Sequence, residues 1–377
     1  MNHPLVAVDI GASKIACAVG LPHEASPGFE LLGTSLVLCP TSPEGWLQDP
    51  LLVSRLIEQA LEATAVTTDM HRALVCVRPP SLASEHARAV IDLADEPITV
   101  RVQDLKRLQA RALDQILAID REPLLIERMA CAGNGFEGVR DPRGMVATRL
   151  AGTFHIVTIP IACRRVVVQA MESAGLEVAQ LCYTLPAALA SAAEERLHHQ
   201  RILLVDVGGL TTDAGLFVEG SLHALEVLPW GGLRIAAAIA KDLHVTMEQA
   251  VTWSLEGMAC RKTDVKALIQ QQWESLQRAI DRLLAKQPKP DAILACGRGA
   301  LIDGFVEWLE RRTGVPTVLC RSPRTSQMGD VAKQMGVGPA IGLLELATRH
   351  APRPGVRSPH LFNRVIDRTR VLLTEYF

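Results

Sequence analysis

Two stretches of this chain repeat one pattern. Residues 5–19 read LVAVDIGASKIACAV and residues 202–218 read ILLVDVGGLTTDAGLFV. Each is an apolar strand that ends in Asp-Ile/Val-Gly, a turn of small residues and a second apolar strand. Asp9 matches Asp206, and Gly11 matches Gly208. Glycine lets backbone N–H groups come close to phosphate oxygens, and an aspartate at the mouth of such a turn can hold Mg²⁺ directly or through water. Two such hairpins predict two related halves that close on one polyphosphate ligand.

At 377 residues the chain is long enough for two or more domains. Hydrophobic residues make up 48% and charged residues 21%, a globular balance. A net charge of −2 and only 4% aromatic residues argue against a nucleic-acid surface, so no nucleic-acid partner is expected. The nine cysteines are scattered without a C-x-x-C pair and sit mostly in apolar runs. They read as reduced, buried thiols of a cytoplasmic protein rather than metal ligands or a disulfide framework. The chain enters a strand at once, so no signal peptide is expected, and no apolar stretch is long enough to cross a bilayer.

Strands are predicted at 5–9, 14–20, 31–38 and 73–77, with a helix near 51–65. Arg78-Pro79-Pro80 then breaks the pattern and reads as a hinge. Residues 83–160 change texture: short strands, a Gly-rich loop at 131–138, and a helix from Gln103 to Leu117 with Leu105, Leu108, Ala112, Leu113 and Ile116 on one face. Helices follow at 162–174, closed by Gly175, and at 185–197. After the second hairpin and Gly231-Gly232 the pattern is helical, including a long helix for which Thr263 is the expected cap. A strand at 293–294 and a core helix at 340–348 complete the body. Strand–helix alternation in both halves indicates an α/β fold. The expected division is 1–82 with 161–200 as a first lobe and 83–160 as an inserted subdomain. A second lobe takes 201–232 with 290–350, and 233–289 forms a small helical subdomain.

Residues 351–359 carry three prolines and a glycine and read as a linker. Residues 360–377 then place Leu361, Phe362, Val365, Ile366, Leu372, Leu373, Tyr376 and Phe377 at helical spacing, with Arg364 and Arg368 among the polar positions. From 351 onward five arginines face two acids. A cationic amphipathic helix on a linker suits an anionic membrane surface.

Several segments together resemble the FtsA family, actin-like bacterial division proteins that tie FtsZ filaments to the membrane. They are DIGASK (9–14), DPRGM (141–145) with RL (149–150), AGLEV (174–178), DVGGLTTD (206–213), LPWGG (228–232) and the amphipathic terminus. The resemblance implies a two-lobed actin/Hsp70-like ATPase fold with an FtsA-type insertion and a reduced second-lobe subdomain. It implies an ATP–Mg²⁺ cleft between the lobes. Asp9, Gly11, Ser13 and Lys14 would form one phosphate loop, and Asp206, Gly208, Gly209, Thr211, Thr212 and Asp213 the other. Gly231 and Gly232 would flank the nucleotide, Gly297 and Gly299 would lie by the adenosine, and Asp9 and Asp206 would hold Mg²⁺. Its implied partners are the membrane, FtsZ or other division proteins, and further copies of the chain in a filament, at the division site.

The chain departs from that family's pattern. Leu210 stands where a third glycine is usual, Arg298 where glycine is usual, and Leu185 where an acid precedes proline. Val251 and Ser254 stand at the approximate positions of a ribose- and base-binding Glu and Lys, and Ala236 and Ala238 replace Thr and Asp. At about 1–3 kcal/mol for each lost hydrogen bond, these changes predict weak or absent ATP hydrolysis. The space between Gly232 and Ile293 holds helices but little of the small sheet through which the family meets FtsZ. Two other readings share the pattern. A PilM-like protein, binding a peptide of a membrane partner in pilus or secretion assembly, does not need the terminal helix. A small-molecule kinase would need Asp213 as catalytic acid or base and lacks the supporting residues. His198 and His199, adjacent in a polar stretch, read as solvated residues.

Overall fold

A computed structural model describes residues 3–24, 26–39, 49–67, 70–192, 200–285 and 287–349. The linker and terminal amphipathic segment, and His198 and His199, lie outside the described residues. In chain order the first part contains β1 (Leu5–Ile10), β2 (Lys14–Pro22), β3 (Phe29–Leu38), α1 (Pro50–Glu62) and β4 (Arg72–Val77). The insertion contains β5 (Ala83–Asp92), β6 (Ile98–Thr99), α2 (Val102–Ile116), β7 (Arg121–Gly133), β8 (Phe136–Val139), β9 (Val146–Ala147) and β10 (Arg149–Pro160). Then come α3 (Ile161–Ser173), β11 (Glu177–Tyr183) and α4 (Thr184–Ser191). The rest holds β12 (Arg201–Val207), β13 (Thr212–Val218), β14 (Ser221–Leu228), α5 (Gly232–Leu243), α6 (Met247–Glu256), α7 (Thr263–Leu284), β15 (Ala292–Cys296), α8 (Phe305–Thr313), β16 (Thr317–Leu319) and α9 (Val331–Thr348).

The duplicated sequence pattern becomes a duplicated sheet. One five-stranded sheet runs β11-β4-β1-β2-β3, and the other, read from its far edge, runs β16-β15-β12-β13-β14. In both, an antiparallel hairpin is flanked by a parallel strand. Asp9 faces Ala16 across one hairpin and Asp206 faces Asp213 across the other. On the parallel side Asp9 meets Cys76, and Asp206 meets Cys296. Central strands of this kind are covered on both faces, so β1 and β12 read as near-continuous apolar runs rather than alternating ones.

The insertion forms its own four-stranded antiparallel sheet, β5-β10-β7-β8. Helix α2 lays Leu105, Leu108, Ala112 and Leu113 onto it, with Phe154 and Ile156 from β10 beneath. Asp104 accepts the backbone N–H of Arg101 at 2.9 Å and so starts α2 with a paired end. The strands expected to be short run to 10, 13 and 12 residues in β5, β7 and β10. The Gly-rich stretch 131–138 folds into the β7–β8 hairpin, with its turn between Gly133 and Phe136, rather than an open loop.

Other differences are local. Thr263 is the first residue of α7, whose cap position is Lys262. The strand predicted at 293–294 extends over Ala292–Cys296. The last helix starts at Val331, where Asp330 accepts the N–H groups of Ala332 and Lys333. It packs Val337, Ala340, Ile341 and Leu344 against Ala7, Ala16 and Ala18 of the first sheet, although its sequence position follows the second sheet. Gly342 permits this, because a Cβ there would run into the Ala187 carbonyl of α4.

The insertion is fastened to the second sheet through histidines. His155 Nδ1 lies 2.9 Å from the Leu222 carbonyl, which can only accept, so Nδ1 carries the proton and Nε2 accepts from the Ser84 hydroxyl at 2.7 Å. His86 stacks on His155 and reaches the His223 carbonyl at 2.8 Å. Burial, with lesser contributions from His86 and His223, pulls His155 down to about 4. The unfolded chain therefore binds more protons below 6.5, and this contribution to stability is lost as pH falls from about 6.5 toward 4. Urea denaturation across that window, compared with His155→Gln, should show a shallower pH slope in the variant.

Candidate functional site

The two Asp-Gly turns face each other across the seam between the sheets and line a cavity of about 150 Å³. They close in the same way. Gly11 N–H donates to the Lys14 carbonyl and Gly208 N–H to the Thr211 carbonyl, each at 2.9 Å. Asp9, Gly11, Ser13 and Lys14 from the first turn border the cavity, as do Asp206, Gly208, Gly209 and Thr211 from the second. Gly232, Gly297 and Gly299 border it as well. Thr212 and Gly231 do not: Thr212 is fully buried and donates to the Trp230 carbonyl at 3.0 Å, and Gly231 precedes α5. The variant positions are brought to the same place, with Leu210, Arg298, Val251 and Ser254 on the wall. Ser254 spends its hydroxyl on the Val251 carbonyl at 2.8 Å. Leu185 is buried and does not line the cavity.

Both carboxylates expected to hold Mg²⁺ are engaged by cations of the chain itself. Lys14 Nζ pairs with Asp9 Oδ2, and the Cys76 thiol donates to Asp9 Oδ1 at 3.3 Å. Arg78, at the end of β4, points into the second turn. Its Nη1 donates to the Asp206 backbone carbonyl at 2.8 Å and lies 3.3 Å from Asp206 Oδ2 and 3.8 Å from Asp213 Oδ1. Asp213 also accepts from the Tyr183 hydroxyl at 2.6 Å. All these groups are nearly or fully buried. Burial alone would lower the Arg78 guanidinium, but Asp206 and Asp213 outweigh it and hold it above its ordinary value. Burial pushes Asp213 up to about 6 and raises Asp206, with Arg78 opposing both shifts. Among the described residues, no group of three or more His, Cys, Asp or Glu is arranged to hold a metal ion. A magnesium ion keeps several waters and is usually held by one or two carboxylates with substrate phosphates. Here both carboxylates are already paired with cations of the chain, so the residues as placed do not fit it.

The hinge reading of Arg78-Pro79-Pro80 missed the arginine's role. One signal was present: LVCVR and ILACGR are the paired β4 and β15 segments, and each puts an arginine two residues beyond the cysteine facing Asp9 or Asp206. Arg78 and Arg298 are thus equivalents in the duplicated fold, and both border the cavity. Thr184 also contributes to the wall, and its hydroxyl is buried without a hydrogen-bond partner.

Two sheets of this duplicated order around one cleft define an actin-like protein. The solved PilM–PilN type IV pilus biogenesis complex has the same fold, with a TM-score of 0.69 at 16% identity over 92% of this chain and 98% of that one. The ethanolamine utilization protein EutJ from Carboxydothermus hydrogenoformans aligns with a TM-score of 0.52 at 15% identity, over 91% of each chain. Residues 80–158 match the SHS2 domain inserted in FtsA, and residues 203–338 match the cell division protein FtsA, together more than half of the chain. The FtsA of Pseudomonas aeruginosa is 26% identical over 257 residues, and that of Bacillus subtilis 24% over 253. These alignments take in 65% and 66% of this chain but 59% and 57% of the relatives, so the chain spans less than two thirds of the length of the curated relatives it matches. The chain belongs to the FtsA family.

Gly208 has a steric duty at this site, since a Cβ there would fall on Arg78 Nη2. Gly208→Ala should shift the guanidinium away from its carboxylates and destabilise the protein by less than the about 3–5 kcal/mol that removing one partner of a buried ion pair costs. Urea denaturation measures this, and an unchanged midpoint would show that the guanidinium does not sit over Gly208.

Proposed function

We propose that the chain is an FtsA-like cell-division scaffold that connects FtsZ or other division proteins to the cytoplasmic membrane. In this reading residues 360–377 are the tether and the actin-like body is the adaptor, at the division site. The observation that carries the proposal is the SHS2-type insertion between β4 and α3 of an actin-like body, in a chain of the FtsA family. The apolar and arginine pattern of 360–377 supports the tether. Among the described residues, no helix is long and apolar enough to cross a membrane. Self-assembly into filaments belongs to the same reading.

The cleft is proposed as a nucleotide-class site that has lost its turnover. A cavity of about 150 Å³ lies below the roughly 300–1,000 Å³ of ordinary ligand pockets, so ATP would need the lobes to part. Leu185 supplies no carboxylate to orient water, and Val251 and Ser254 supply no charged partner for a ribose or base. Calorimetric titration with ATP should give binding weaker than micromolar and no phosphate release. Tight binding with turnover would return the protein to the ATPases.

The tether has a direct test. The full chain should sediment with anionic vesicles, while a truncation at Ala351 and the triple variant Phe362→Glu, Ile366→Glu, Leu373→Glu should stay in the supernatant. Equal sedimentation of all three would count against the tether.

A further inference from the structure

We propose that Arg78 is a resident cation occupying the place a divalent metal would need between Asp206 and Asp213, and that it latches the two lobes of the cleft without metal. The inference goes beyond the scaffold reading and needs neither the membrane segment nor a division partner.

Charge is the first argument. Asp206 faces Asp213 across the second hairpin, both lie within 4 Å of Arg78, and Asp9 borders the same cavity as Asp206. Three buried carboxylates with one lysine would leave uncompensated negative charge in a low-dielectric seam. In nucleotide clefts a divalent ion supplies the missing positive charge. Here Arg78 supplies it from the protein. A guanidinium remains charged when buried, and its Nη1 alone lies by the Asp206 carbonyl and within 4 Å of both carboxylates.

Topology is the second argument. Arg78 ends β4 of the first sheet, whereas its acceptors lie on β12 and β13 of the second. The contact therefore crosses the cleft and joins residues 128 positions apart. A bound metal–polyphosphate would make a comparable bridge only while the ligand is present, whereas Arg78 makes it from within the chain.

The third argument concerns Gly208. A missing side chain at this turn serves phosphate approach in the reading from sequence. In the folded protein the same space is filled by Arg78 Nη2. The turn has kept its glycine and put an internal cation where an outside ligand would otherwise come near. Pro79 and Pro80 follow directly and lead into the inserted subdomain, so the latch sits where that subdomain joins the body.

The test uses the full chain, Arg78→Lys and Arg78→Gln, with MnCl₂ as the metal probe. Electron paramagnetic resonance reads bound Mn²⁺, and a pair of spin labels on the two lobes reads the width of the cleft. The wild type should bind no Mn²⁺ and stay closed with or without chelator. Arg78→Lys should behave the same way. Arg78→Gln should open in chelator, bind one Mn²⁺ and close again. A Mn²⁺ site in the wild type would overturn the proposal even if neither variant folds. An Arg78→Gln protein that stays closed and takes no metal would overturn it as well. Loss of vesicle binding or of division activity would bear only on the scaffold reading, so the two can fail separately.

Discussion

The contact between Arg78 and the carboxylates of Asp206 and Asp213 ties one sheet to the other at the point where the duplicated turns meet. Its partners are nearly dry, so the tie cannot loosen cheaply: withdrawing the guanidinium would strand two carboxylates in the seam. Gly208, the cavity wall and the start of the insertion all lie beside it. On the first turn the equivalent neutralisation is local, with Lys14 and Cys76 satisfying both oxygens of Asp9. The two turns look alike in sequence but differ in how their charge is balanced.

The insertion and the body are coupled by different chemistry at their two borders. At the hinge, Arg78 and the two prolines direct the chain. At the far border, neutral His155 bridges Ser84 and the Leu222 carbonyl, and His86 stacks on it. Arg140 Nη1 also approaches the Glu219 carbonyl at 3.4 Å on that side.

Much of the architecture was readable from residue pattern. The hairpins at Asp9 and Asp206, the amphipathic face of α2 and the helical character of 233–289 all follow from local periodicity and turn residues. The parts that were not readable share a cause. Thr263 has the chemistry of a cap yet became the first residue of its helix, with Lys262 in the cap position. The extra length of β5, β7 and β10 comes from pairing with one another, a long-range property. Thr212 looked like a ligand residue but turned its hydroxyl to the Trp230 carbonyl.

By itself the sequence determined that there would be two like halves, where their turns would fall, and which small residues would line them. Those properties come from strand alternation and glycine-rich turns, and they act over a few residues. Only the tertiary structure decided which charges meet. It brought Arg78 across 128 positions to Asp206, and it laid α9 on the first sheet although that helix follows the second in the chain. Burial in the seam then turned an arginine that reads as part of a hinge into the counter-ion of the site, because a carboxylate removed from water must find its partner within the fold.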